Sequence, residues 1–172
     1  METSTDDYDF DLGPRSTERQ QSFLDTLLAA CDGEVSGRTK FMKLVFMLEH
    51  FDPATGGVTA EPQFGVFEDF HIYDHGPFSR DVMDAFDDLK TDGAVSESDE
   101  YVNGRRGKVI ERDGGTSSRT EEFDTEQFRE IIERFRAETG STLADRSLDL
   151  LGIEPSEKEQ YRYTEVSEIV TE

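Results

Sequence analysis

Several things are scarce in this sequence, and each scarcity excludes something. One cysteine, Cys31, stands among 172 residues, so no intramolecular disulfide framework holds the fold. No uninterrupted apolar run exceeds the length of Leu44–Leu48, far short of the ~20 residues of a membrane span. Met1–Asp7 is acidic and lacks the apolar stretch of a secretion signal, so a cytoplasmic protein without a membrane segment is expected. Histidine occurs three times and lysine five times, against 13 arginines. Leu, Ile, Val and Phe total 40 of 172 residues, just above the roughly 20% below which a highly charged chain does not close a core.

Acid is abundant. Forty Asp and Glu face 18 Lys and Arg, a formal charge of −22. The acids are dispersed along the chain and do not form one interaction tail. A dispersed acidic excess with little lysine is the surface expected in a salt-in halophile, where molar salt screens self-repulsion.

The apolar spacing sets out the elements. Ser16 or Thr17 caps a helix carrying Phe23, Leu24, Leu27, Leu28 and Cys31, closed at Gly33. A second helix from about Ser36 carries Phe41, Leu44, Val45, Leu48 and Phe51, widened by Met42, Phe46 and Met47; Pro53 and Gly56-Gly57 end it. A helix apolar round most of its circumference belongs at the centre of a domain. Phe64–Tyr73 reads as one strand with alternating faces. Gly76-Pro77 reads as a strand-to-helix turn before a helix with Phe78, Val82, Met83, Phe86 and Leu89 on one side and Asp81, Asp84, Asp87 and Asp88 on the other. Ala94–Arg112 reads as a hairpin turning through Asn103–Gly107, and Gly114–Ser118 as a loop. Further helices are expected from Thr125 and over Ser141–Leu151. No internal repeat is present.

This order predicts a compact, mainly helical α+β domain with a small antiparallel sheet and a β-hairpin, winged-helix-like in element order. Residues 1–14 form an acidic flexible tail, 15–152 a single domain, and 153–172 an acidic C-terminal tail expected to fray.

Chemistry-bearing patterns are few. His71 and His75 are four apart, but on a strand that spacing spans roughly 13 Å, too far for one ion. Cys31 falls on an apolar stripe, where a small buried hydrophobe is its ordinary role. Gly104–Lys108 lacks the spacing of a phosphate loop, and no Gly-x-Ser-x-Gly elbow occurs. No enzyme, cofactor or metal site is expected. The cations form two clusters: Arg38, Lys40 and Lys43 at the start of the second helix, and Arg105, Arg106 and Lys108 at the hairpin tip. Such patches are candidate contacts for a partner protein or for DNA phosphates.

A resemblance adds to this reading. Lys40–Leu48 resembles the Leu-Gln-Lys-Leu-Val-Phe-Leu-Leu helix of the YwgA-like proteins, related to the SocA-like "Panacea" antitoxin domain. Phe67, Phe70, Tyr73, His75, Gly76, Pro77, Phe78 and Ser79 resemble that family's aromatic strand running into a Tyr-Gly-Pro-Phe-Ser turn, with His75 in place of the usual Tyr. Asp81–Val95 is similar to the helix that follows, so the resemblance covers Lys40–Val95. It implies a non-catalytic domain that binds and neutralises a toxin, or presents it to a protease. A winged-helix transcription regulator, reading DNA with the two basic clusters, is the alternative.

Overall fold

The computed structural model describes residues 15–102, 104–113 and 123–170. The first tail, Asn103 and the Gly114–Ser118 loop lie outside the described residues, as do residues 171 and 172. Helix α1 (Glu18–Ala30) starts in a capping box: the Thr17 hydroxyl accepts from the Gln20 N–H while the Gln20 side chain accepts from the Thr17 N–H. It ends where Gly33, at φ +98°, turns its N–H back to the Leu28 carbonyl at 2.8 Å. A two-residue strand β1 (Glu34–Val35) leads into α2 (Arg38–His50). Every residue from 41 to 50 on α2 is buried, so this helix is the axis of the domain.

Helix α2 stops at His50, before Pro53. Strands β2 (Phe51–Asp52) and β3 (Gly57–Val58) then form a small hairpin across the Pro53–Gly56 turn. The expected strand over Phe64–Tyr73 is corrected to β4 (His71–Tyr73). The cause is Glu49, fully buried on α2, whose carboxylate accepts the backbone N–H groups of Phe64, Val66 and Phe67 at 2.7–2.8 Å. Three donors converging on one carboxylate curl the chain into a nest, and Val66 and Phe67 are both buried where a strand would alternate.

Strand β5 (Gly76–Phe78) pairs antiparallel with β4 across a two-residue turn. Gly76-Pro77 is therefore part of a hairpin, not the strand-to-helix turn expected. Pro77 is tolerated because β5 is an edge strand, whose outer side needs no N–H. Helix α3 (Arg80–Thr91) begins one residue later, capped by the Ser79 hydroxyl on the Val82 N–H.

Strands β6 (Val95–Val102) and β7 (Arg105–Arg112) make the long hairpin. Val102 pairs with Arg105, so Arg105–Gly107 belong to β7 and not to the extended turn expected over Asn103–Gly107. The sheet order is β1-β7-β6. Helices α4 (Thr125–Ile132) and α5 (Gly140–Leu150), a 3₁₀ helix (Pro155–Tyr161) and α6 (Val166–Ile169) complete the described chain.

The succession α1, β1, α2, α3, β6, β7 with that strand order is a winged-helix frame. Residues 51–79 are inserted between α2 and α3, and α4 and α5 pack on α1 and α2. Phenylalanines fill the interior: Phe23 meets Phe67 edge-on at 5.2 Å and Phe128 at 4.8 Å.

The frayed tail expected after residue 152 is also corrected. Ile153 and Val166 are buried, and the Ile72 N–H donates to the Thr164 carbonyl while the Tyr163 N–H donates to the Ile72 carbonyl. Residues 163–166 thus cover the second edge of β4. An edge with unpaired backbone groups would otherwise be a liability.

Candidate binding cleft

The resemblance motif divides by what each residue touches. Phe67 and Phe70 are core, Phe70 lying edge-on to Phe46 at 5.5 Å. Ser79 is buried as the α3 cap, its hydroxyl also donating to Asp69. Gly76 sits at φ +96°, where a Cβ would stand 3.5 Å from the Ala144 carbonyl oxygen and 3.6 Å from Lys43 Cε. The backbone angle favours glycine there, while the distances themselves are ordinary contacts. Tyr73, His75 and Phe78 turn outward and line a cleft.

That cleft, of about 240 Å³, lies between the first two turns of α2 and the β4–β5 hairpin. Arg38, Thr39, Met42 and Lys43 come from one face of α2, while Met83 of α3 closes one wall. Lys43 is 2% exposed and its Nζ donates to the Pro77 carbonyl at 2.9 Å. No carboxylate pairs with it among the described residues. Burial, reinforced by the Lys158 ammonium, pulls the Lys43 amine down to about 7. Asp74, at the hairpin turn, is engaged by Arg162 at 2.8 Å and its carbonyl accepts from Lys158.

Outside the cleft an aromatic surface continues. Tyr73 lies 5.7 Å from Tyr163, and the Arg162 guanidinium covers both rings at 5.2 and 5.3 Å.

The six cations singled out in the sequence do not form one patch. Arg38 makes a bidentate pair with Glu97 of β6, both contacts 2.8 Å, and stacks 5.0 Å over Phe86. Lys90 joins the same carboxylate at 3.0 Å. The Glu97 carboxyl is held down at about 2, chiefly by the Arg38 hydrogen bond. Lys40 donates to the Arg136 carbonyl at the far side of α2, its ammonium lowered by burial. Lys43 is interior. On the hairpin, Lys108 pairs across the ladder with Asp99 at 3.0 Å, and Arg105 and Arg106 lie opposite Val102 and Tyr101.

Reading the sequence missed Thr39, Met42, Asp74 and Met83 as cleft residues. The signal was present for α2, since positions 38, 39, 42 and 43 share a helical face. Cys31 is buried, and burial raises its thiol to about 11, away from the thiolate that a nucleophile needs. His71 Nδ1 sits 3.1 Å from the Asp69 carbonyl, and no group of three metal-ligating side chains gathers among the described residues. Among them, no helix is long and apolar enough to cross a membrane.

These elements define an α+β domain on a winged-helix frame, with a lysine-floored cleft at its inserted hairpin. No protein-family model matches the chain, and no curated protein or solved structure is significantly similar to it.

Proposed function

We propose that this chain is a non-catalytic protein-binding module that binds and regulates a partner protein, in the manner its resemblance to SocA-like antitoxins implies, within the cytoplasm of a salt-in halophile. A toxin is the partner class that the resemblance suggests. The observation that carries the reading is the chemistry of α3. In a DNA-binding frame of this type a helix enters the groove while the wing contacts phosphates. Here α3 presents Asp81, Asp84, Asp87 and Asp88, all partly exposed; Arg15 faces Asp84 and Asp87 at 3.7 and 3.6 Å, Arg80 faces Asp84 at 4.0 Å and Asp88 accepts from Ser16, so four acids stand against two arginines. Burial first, and then the neighbouring carboxylates of Asp69, Asp84 and Glu68, push the Asp81 carboxyl up. Phosphates would be repelled at the position where they should be met.

The cations that would have offset this repulsion are engaged within the fold, Arg38 by Glu97 and Lys43 by Pro77. Tyr101 on the hairpin is 71% exposed, directly opposite Arg106. Tyr and Arg are enriched at protein interfaces, which supports a partner surface that includes the hairpin Tyr101–Lys108 and the acidic face of α3.

The test is an affinity capture from the native cytoplasm in molar KCl, with and without nuclease. One stoichiometric protein that survives nuclease is the expected result. Replacing Arg105, Arg106 and Lys108 together by Ala should weaken its binding at least tenfold with an unchanged thermal melt. Recovery of a defined DNA, lost on nuclease treatment and bound with a steep salt dependence, would transfer the assignment to a transcription regulator.

A further inference from the structure

The cleft holds more than a partner-binding module requires. Its walls are apolar, from Met42, Phe78, Met83 and the Tyr73 ring, whereas its floor and rim are donors. Lys43 Nζ spends one of its three protons on Pro77. His75 is exposed and, among the described residues, has no hydrogen-bond or ion-pair partner; the Thr39 and Tyr73 hydroxyls are likewise unpartnered there. The only carboxylate in the lining, Asp74, is turned to Arg162. In a molecule of charge −22, one small apolar recess has a lysine amine at its base and, among the described residues, no carboxylate that meets it. Burying an ammonium without a counter-charge is expensive unless something compensates it.

We propose that this cleft is a binding site for a small apolar carboxylic acid, with the carboxylate received by Lys43 and His75 and the hydrocarbon body held between Met42, Phe78 and Met83. The volume, about 240 Å³, is below the roughly 300–1,000 Å³ of pockets for drug-sized ligands, so the acid is of aryl-alkanoate or branched-alkanoate size. Thr39 and Tyr73 supply further hydroxyl donors at the rim. The proposal is independent of the partner reading, because it concerns a small ligand and a different surface.

The site makes a distinctive thermodynamic demand. Among the described residues, the charged and titratable groups around Lys43 are Arg38 on its own helix, Tyr73 on β4, Asp74 and His75 on the β4–β5 turn, and Lys158 on the 3₁₀ helix. Arg38 and Asp74 are already paired, and burial of the amine, with the Lys158 ammonium behind it, leaves its proton weakly held. At pH 8 the amine of the free protein is largely neutral, and a carboxylate entering the cleft restores its proton. Binding therefore takes up close to one proton per ligand.

The experiment is isothermal titration of the full chain in molar KCl at pH 8, in two buffers of different ionisation enthalpy. The probes are 3-phenylpropanoate and 4-methylpentanoate, each beside its uncharged amide, and a tripeptide ending in Phe with a free or an amidated C-terminus. Expected are saturable binding of at least one acid, at least tenfold weaker binding of its amide, uptake of close to one proton, and at least tenfold loss in Lys43→Met. His75→Ala, at an exposed position, should weaken binding with the melt unchanged. The proton count uses the unaltered protein and so stands even if Lys43→Met does not fold. Equal binding of acid and amide, binding without proton uptake, or no binding of either acid overturns the proposal. Binding of the free tripeptide alone also overturns it, and assigns the cleft to a partner's chain end.

Discussion

Two charged residues of α2 decide much of what surrounds them, and both are buried. Glu49 accepts three backbone N–H groups, a task for which a carboxylate's two oxygens are suited and an amide's single oxygen is not. Glu49→Gln keeps the size but points an NH₂ at a backbone donor. It should lower stability by about 2–3 kcal/mol in urea unfolding, with local amide exchange rising first at Phe64–Phe67. Lys43 acts through pH. Its amine is held at about 7 in the fold and returns to about 10.5 on unfolding, so between these values the unfolded chain binds the more protons and stability rises with pH. Above 9 the raised Cys31 thiol opposes this, since there the folded state keeps a proton that the unfolded state loses. The clean window is therefore pH 7 to 9. Stability should climb there by up to ~1.4 kcal/mol per unit, and Lys43→Met should flatten the slope. Neither role was legible from the residues alone. The apolar pattern showed that α2 is central, which requires its charged positions to be buried or at an edge, but their partners come from residues 64–67 and 77, which no local spacing reveals.

Helices and caps were the readable elements. The cap at Ser16 or Thr17, the apolar stripes of α1, α2, α3 and α4, and the terminating Gly33 follow from side-chain chemistry within a few residues. The misread elements each depended on something distant. Phe64–Phe70 lost its strand to a carboxylate on another helix, and the segment after residue 152 gained order by pairing with β4. The turn expected over Asn103–Gly107 is shorter because Arg105 and Arg106 continue the ladder opposite Val102 and Tyr101. One helix junction gives a sharp test. A Cβ on Gly140, at the start of α5, would stand 3.1 Å from the Lys40 nitrogen and 3.2 Å from Thr39 Cβ. Although Ala is the better helix former, Gly140→Ala should destabilise by about 1–3 kcal/mol in chemical denaturation, because the α2 backbone cannot retreat. A neutral or stabilising result would mean that α5 slides freely on α2.

At the level of the whole molecule, charge outweighs pairing. Many of the ion pairs join exposed side chains, such as Arg162 with Glu159 and Arg129 with Glu126, and exposed pairs contribute little individually. They leave a net −22 spread over the surface. Screening it should stabilise the fold, so the melting temperature should rise monotonically as KCl is increased from millimolar to molar, and more steeply than a neutral osmolyte of equal osmolarity would produce. A melt insensitive to KCl would refute the salt-adapted reading of the composition.

Residues 51–79 separate α2 from α3, whose Phe41 and Phe86 rings meet at 5.4 Å. Loop closure grows only logarithmically with length, each doubling costing about 0.6 kcal/mol, so a long detour between α2 and α3 is thermodynamically cheap. This detour also returns Phe67, Phe70 and Ile72 to the interior, burial that more than offsets its closure. A segment grafted on such terms can acquire new side chains at its outward turn, Tyr73 to His75, while its inward residues keep it anchored. Ligand preference can therefore diverge at one end of the molecule while the wing and the acidic helix stay as they are.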